Sequence, residues 1–375
     1  MLRTVPSAKE TIRKLLAAAD VQINGERAWD IRVRDEHFYQ RVLAGGSLAL
    51  GESYMDGWWE TEALDQCIFR IVRAGLKKRV VPRLSTVIAY LKSTLLNLQS
   101  KNRARENVHR HYDQSAKLYL SFLDPYNQYT CGYFQSVDDL NRAQEQKLDL
   151  ICKKLRITGA DEVLDIGCGW GGFAKLASER YRCRVTGITI SDQQFEYARN
   201  YTQGLPVTIL KKDYRDLSGK FDKILICGMM EHVGFKNHRA LMRVVHHSLR
   251  DDGLFLLQTI GARETSRFID PWLGTYIFPN TLLPSIKQIA EAIEGLFVVE
   301  DWQNFGAFYD QTLLAWFRNF DANWEKLRAE FDERFYRMWK YYLLACAGLF
   351  RARETQLWQV VLSKNGLLGG YQPVR

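Results

Sequence analysis

A Rossmann-like α/β fold built on a doubly wound sheet of seven strands is what the sequence predicts for the larger part of this chain. Three observations carry that prediction. The stretch EVLDIGCGWGGF (162–173) runs two apolar residues, Val163 and Leu164, into Asp165, as the end of a buried parallel strand would. Gly167, Gly169, Gly171 and Gly172 follow, and then a helical pattern in FAKLASERY. Strand-like and helix-like segments alternate from there to the C-terminus, the rhythm of a sheet covered on both faces. Finally, 375 residues, 46% of them hydrophobic, suffice for two domains with sizeable cores.

The formal net charge of +9 points to an anionic partner, phospholipid headgroups or nucleic acid. Seven cysteines lie singly, with no CxxC pair and no His/Cys cluster at metal spacing, so free thiols in a reducing compartment are expected, with no metal. Arg3, Lys9, Arg13 and Lys14 surround only the short apolar run LLAAA, unlike a signal peptide. The longest apolar candidate, YYLLACAGLF, falls short of the roughly 18 to 20 residues of a membrane span. A cytoplasmic protein that touches a membrane without crossing it is the expectation.

Taken in order, the chain opens with a compact module to about residue 70. It predicts a helix from Ser7 to Ala19 and a short strand in IRVRD. In GGSLALGESYMDGWWE the adjacent Trp58 and Trp59 suit a membrane interface or the core of a small domain, and the core is favoured. Arg73, Lys77, Lys78, Arg79 and Arg83 then precede a helical stripe of Leu84, Val87, Ile88, Leu91, Leu95 and Leu98. That pattern fits an amphipathic helix drawn to an anionic bilayer and, equally, a solvated charge run ahead of a packed helix. QSKNRAREN reads as a linker, which divides the chain into a first domain of residues 1–100 and a second of 101–375.

In the second domain NRAQEQKLDLICKKL is a helix leading into the glycine-rich strand-turn. RVTGITI (184–190), VTILKKDY, FDKILICGM, LFLLQTIG, FVVEDWQNFG and QLWQVVLSK supply the other six strands, the last two separated by a helical insertion from about Gln311 to Arg353. Ligand is expected at the strand C-termini.

The glycine spacing is G-x-G-x-G, which differs from the G-x-G-x-x-G of a dinucleotide fold, and it lacks a P-loop lysine. A glycine turn before a helix N-terminus makes a nucleotide-sized corner. The second strand ends in Thr189, Ile190 and Ser191, with Gln193 and Gln194 beyond, where an NAD site wants an acidic residue. Together these features indicate the first strand-turn of an S-adenosylmethionine (SAM) methyltransferase. The third strand ends in Asp213, Tyr214 and Arg215, with Tyr214 suited to stack on a purine or, alternatively, the group forming an N-capping turn. GMMEHVG stands where amino-group methylases carry an NPPY-type motif, and no Pro-Cys pair is present, so nucleic acid is not the expected partner. Glu231 and His232 there can bind or orient a base, or serve as helix-entrance residues.

LDIGCGWGG, the GITIS tip, GMMEHVG, QYTCGYF and CAGLFRARE together resemble the cyclopropane-fatty-acyl-phospholipid synthases, relatives of the mycolic acid cyclopropane synthases. The resemblance covers nearly the whole chain, including GSLALGESYMDGWWE. It implies a class I SAM-dependent methyltransferase domain preceded by a smaller lipid-engaging domain, in a homodimer bound peripherally to the inner face of the membrane. The implied reaction is methylene transfer from SAM to the cis double bond of an unsaturated phospholipid acyl chain in an anionic bilayer. A carbocation would form and be deprotonated by bound bicarbonate. By resemblance the bicarbonate cradle is Cys131, Glu231, the Ile260 backbone and Tyr309, with Gln258 of QTIG in a position where the family usually has histidine. Glutamine can donate a hydrogen bond to an anion but carries no charge. The same resemblance assigns SAM to Tyr129, Thr130, the turn from Val163 to Gly171 (Asp165, Gly167, Cys168 and Gly169 within it), Thr189, Ile190, Ser191, Gln194, Tyr214 and Arg215. Cys346 matches a cysteine suspected of catalysis in this family, although a lone Cys in an apolar helical run is usually buried and inert.

Two other readings follow from the Gln258 departure. One is a fatty-acyl methyltransferase that gives branched chains. The other is a non-catalytic lipid-binding relative, against which Cys131, Glu231 and Tyr309 argue.

Overall fold

The computed structural model describes residues 6–76, 116–267 and 269–375. The basic run from Lys77, the stripe Leu84–Leu98 and the boundary near residue 100 lie outside the described residues.

Helix α1 (Ala8–Ala17) starts where the sequence places it. Ser7 Oγ accepts from the Glu10 N–H at 3.2 Å and Glu10 returns a bond to the Ser7 N–H at 3.0 Å. Such reciprocal capping contributes about 1 kcal/mol. Strand β1 (Arg32–Val33) pairs antiparallel with β2 (Trp59–Glu60). Between them α2 (His37–Met55) is broken at Gly46, which adopts a positive φ of 58°. Trp59 is fully buried and donates through Nε1 to the Leu50 carbonyl at 3.0 Å, while Trp58 carries the Arg41 guanidinium 4.5 Å above its ring. The two tryptophans therefore belong to this module's own packing. Helix α3 (Leu64–Arg73) closes the module.

Helices α4 (Ala116–Phe122) and α5 (Leu140–Lys154) lead into β3 (Glu162–Ile166). Then follow α6 (Gly172–Tyr181), β4 (Arg184–Thr189), α7 (Asp192–Tyr201), β5 (Val207–Lys211), β6 (Phe221–Cys227), the short α8 (Met230–Val233), α9 (His238–Ser248) and β7 (Leu249–Ala262). After α10 (Pro271–Tyr276) and α11 (Ile286–Ile293) comes β8 (Val298–Asn304). The insertion consists of α12 (Ala307–Ala322), α13 (Trp324–Leu327) and α14 (Glu333–Arg351), and β9 (Thr355–Ser363) ends the sheet.

The seven strands are ordered β5-β4-β3-β6-β7-β9-β8. β9 runs antiparallel between β7 and β8, and the pairs from β5 to β7 are parallel. Alternate side chains feed two cores. Val163, Leu225, Leu256 and Val361 pack beneath α5 and α6, whereas Leu164, Ile224, Ile226 and Leu257 meet α9 and α11. A third and larger core joins the opening module to the insertion. It runs from Ile12, Phe38 and Ile68 to Trp316, Trp339 and Leu344. Module and insertion meet tightly at Gly348 of α14, where a Cβ would lie 2.7 Å from the Asp65 carbonyl oxygen. Arg351 ties the same helices together, reaching Asp65 at 2.7 Å and Asp310 of α12 at 2.8 Å.

Candidate active site

The glycine turn after β3 is held in shape by its backbone. Gly167, Gly169 and Gly171 have φ of 83°, 53° and 84°, values that favour glycine. The N–H groups of Gly167 and Cys168 both donate to the Ile188 carbonyl at 3.0 Å, which fixes the turn to β4. Gly172 is needed for a different reason: a Cβ there would come within 1.7 Å of the Tyr126 carbonyl oxygen. The segment 126–130 thus lies directly on the start of α6.

A cavity opens at the C-terminal ends of β3, β4, β5 and β6. Of the residues assigned to SAM from the sequence, Tyr129, Thr130, Asp165, Gly167, Cys168, Gly169, Thr189, Ile190, Gln194, Tyr214 and Arg215 line it. Val163, Gly171 and Ser191 do not. Val163 stands near the start of β3 and points into the core under α5. Gly171 caps α6 one step inside, and Ser191 caps α7 by accepting from Gln194 N at 3.3 Å. Asp213 caps the short turn after β5 through the Arg215 N–H at 3.0 Å, which leaves the buried ring of Tyr214 on the cavity wall. The capping turn and the wall residue coexist.

Two fully buried polar residues of α5 support this wall from behind, and sequence reasoning missed both. Lys147 Nζ bonds Thr130 Oγ1 at 3.0 Å and Gln128 Oε1, and Gln144 Nε2 donates to the Thr130 carbonyl at 2.7 Å. Burial lowers the Lys147 pKa, while nearby thiols and the carboxylates of Asp124 and Asp165 favour its charged form. Burial also pushes Asp165 up to about 7, with Lys147 acting in the opposite direction. A lysine in NRAQEQKLDL looks like any solvated helix position. Trp170, inside the assigned turn, and His232 also line the cavity, and Gln128, Met229 and Phe278 are further wall residues that sequence reasoning did not assign to it.

The second predicted group does not line this cavity but adjoins it through Thr130 and Cys227. Glu231, on α8, accepts from the Ile260 N–H at 2.7 Å through Oε1. Its Oε2 is buried and has no hydrogen-bond partner among the described residues. Thr259 Oγ1 lies close enough to favour the charged carboxylate but donates to the Ile260 carbonyl at 3.1 Å. Burial pushes Glu231 up to about 7. Tyr309, in the first turn of α12, stacks on Phe350 at 4.4 Å and feels both Cys131 and Glu231; burial raises its pKa well above the usual phenol range. Cys131 is completely buried, accepts from Thr312 Oγ1 at 3.8 Å and is likewise held protonated by burial. Gln258 is fully buried on β7, accepts from Gln359 Nε2 at 2.9 Å, and its own Nε2 has no partner among the described residues.

Cys346 lies apart from this set in the expectations it meets. Its thiol is buried on α14 and pushed up to about 12 by desolvation, which leaves no thiolate near neutral pH. His232 does line the cavity, bonded to Thr281 Oγ1 at 3.1 Å, but burial lowers it to about 4, so it is neutral and cannot replace the charge of a histidine at position 258.

Both groups of residues fit the ligands expected of them. The cavity joins a glycine turn, hydroxyl and amide side chains and the Tyr214 ring, the donor and stacking set for a nucleoside. Its inner neighbour offers an unengaged carboxylate oxygen and an unengaged amide donor, complementary to a small oxyanion that carries a proton of its own.

A family model described as mycolic acid cyclopropane synthetase matches residues 99–360. The chain is 49% identical over 357 residues to the cyclopropane-fatty-acyl-phospholipid synthase of Escherichia coli (strain K12), spanning 94% of each protein. It is 35% identical over 278 residues to a probable fatty acid methyltransferase of Pseudomonas putida, 70% of each. Among solved structures, the mycolic acid cyclopropane synthase CmaA1 complexed with SAH and CTAB superposes with a TM-score of 0.65 at 30% identity, covering 69% of this chain and 98% of that one.

Proposed function

The chain belongs to the mycolic acid cyclopropane synthetase family, and on that premise we propose that it transfers a methylene group from SAM to the cis double bond of an unsaturated phospholipid acyl chain. It is a SAM-dependent lipid-modifying enzyme with the class I methyltransferase sheet. The observation that carries the finer reading is the pairing of a nucleoside-suited cavity with the buried Glu231–Ile260 cluster beside it.

An isolated alkene is a weak nucleophile, so the reacting groups must be held close in a dry pocket. The turn residues and the Thr189–Gln194 and Tyr214–Arg215 tips would hold SAM, which when bound would supply an electrophilic methyl group. Tyr129 connects the cavity to an aromatic region: it lies on the cavity wall, stacks on Trp316 at 5.1 Å and bonds the Tyr342 hydroxyl at 2.7 Å. Such ring faces can stabilise a cation on the acyl chain, and protonated Cys131 is not alkylated as a thiolate would be. Ring closure releases one proton. Cys131, Glu231, Gln258, Tyr309 and the Ile260 backbone would hold bicarbonate, which would supply the base, and Glu231, poised at about 7, is suited to accept and pass on that proton.

We further assign residues 1–100 to lipid engagement and 101–375 to catalysis, with peripheral binding at an anionic inner membrane face as a homodimer. Among the described residues no helix is long and apolar enough to cross a membrane. The net charge of +9 supports anionic headgroups as the contact.

The test uses purified protein, SAM and vesicles of monounsaturated anionic phospholipid, with bicarbonate present or removed. A gain of one methylene per acyl chain by mass spectrometry, with cyclopropane protons by NMR that diminish without bicarbonate, is expected. Methylation without a ring would favour a branched-chain acyl methyltransferase, the reading to which neutral Gln258 and the Pseudomonas putida relative lend weight.

A further inference from the structure

Cys227, Gln258 and Gln359 form a row across three adjacent strands. Cys227 is the register partner of Gln258 on β6, and Gln359 is its partner on β9. Directly opposed residues share a face of the sheet, so all three side chains rise on the same side. That side is the one that carries Thr130, whose hydroxyl meets Cys227 Sγ at 3.8 Å. Two residues along β7 from Gln258, the Ile260 N–H holds Glu231. Gln258 and Gln359 are both completely buried.

A buried amide offers a donor at one end and an acceptor at the other, and its neighbours decide which end faces a ligand. Gln359 Nε2 donates to Gln258 Oε1 at 2.9 Å, and Gln359 Oε1, like Gln258 Nε2, is buried with no partner among the described residues. The bond occupies the acceptor end of Gln258 and leaves its Nε2 as a buried donor. We propose that Gln359 is a positioning residue: its amide fixes the orientation of Gln258 so that Nε2 is the atom offered to a small oxyanion beside Glu231. The proposal rests on the reading of this cluster as a bicarbonate site. Orientation matters more here than it would for histidine. An imidazolium donates from both nitrogens, whereas a glutamine turned the wrong way presents an oxygen and repels an anion.

The experiment measures binding of carbon-13-labelled bicarbonate to the full chain by NMR titration, with S-adenosylhomocysteine binding by calorimetry as a separate readout. Gln359→Met is expected to weaken bicarbonate about tenfold, the loss of roughly one oriented hydrogen bond to a charged group, with S-adenosylhomocysteine affinity unchanged. Gln359→Glu should weaken it further, because an ionised carboxylate accepts from Gln258 Nε2 and turns the amide round. Gln359→His, which can still donate to Gln258 Oε1, should bind as the unmodified protein does. Bicarbonate affinity unaltered in Gln359→Met would overturn the proposal, as would parallel loss of both ligands, the mark of a purely structural role. If Gln359→Met does not fold, equal affinities in the His and Glu variants would overturn it. Failure of the unmodified protein to bind bicarbonate would instead remove the anion site itself.

Discussion

The Ile260 N–H donates to Glu231 Oε1 at 2.7 Å while the other carboxylate oxygen, Oε2, stays buried without a hydrogen-bond partner among the described residues. A buried carboxylate with one oxygen anchored and one unengaged is costly to maintain and suited to a ligand or a proton. Glu231→Gln keeps the volume and removes the charge. Turnover with SAM and unsaturated lipid should fall at least about a hundredfold, within the usual range for loss of acid–base function, with S-adenosylhomocysteine binding retained. Unchanged turnover would remove Glu231 from the reaction.

The same residue marks the pH dependence of stability. Burial raises Glu231 from 4.5 to about 7 in the folded protein. The folded state therefore binds more protons than the unfolded chain between those values. Its contribution is fully present below about 4.5 and is lost as pH rises through about 7. Melting temperatures recorded from pH 5 to 8 without ligands should decline more steeply for the unmodified protein than for Glu231→Gln. Parallel curves would contradict this.

Gly172→Ala tests the contact between the glycine turn and the segment that carries Tyr129 and Thr130. The added methyl would meet the Tyr126 carbonyl at 1.7 Å, so the segment must move. Overpacking of this kind costs about 1–3 kcal/mol. Denaturant unfolding should report that loss, and calorimetry should report weakened S-adenosylhomocysteine binding.

Cys346→Ala should leave turnover within about twofold of the starting protein, because a buried thiol at about 12 has no thiolate to contribute. Its cost should be confined to packing, about 1 kcal/mol, read from denaturant unfolding. A loss of turnover at unchanged stability would restore a chemical role.

Lys147→Met would release Thr130 Oγ1 and Gln128 together. SAM affinity should fall about tenfold, as for a lost hydrogen bond to a charged group, and Asp165 should titrate still higher without its cation. Isothermal titration across pH 6 to 8 checks both.

The strand-turn from Val163 to Gly172 was legible because each step has a local cause: a buried strand, positive-φ glycines and a helix start. Tyr214 and Gln194 could be read in the same way from their place at strand tips. Cys131, Glu231 and Tyr309 could not, since they are far apart in the chain and only the fold brings Tyr309 near the other two, and their assignment, like that of Gln258, came from family resemblance. Lys147 was hidden by its neighbours. In NRAQEQKLDL nothing distinguishes a buried ammonium from a solvated one until segment 126–130 folds over it. The direction of β9 was equally silent in QLWQVVLSK, because a strand buried on both faces has the same apolar pattern whichever way it runs.

The family match begins at residue 99, yet the apolar interior does not respect that line. Leu64, Cys67 and Ile68 of α3 rest on the face of α14 that includes Leu344 and Gly348, so amputating the opening module would strip a long helix of its cover. In this chain the methyltransferase sheet cannot be treated as a detachable cassette. A graft or truncation guided by the family boundary would sever a shared interior, and a shortened enzyme would need a new surface designed for α14 before it could be handled as a free-standing unit.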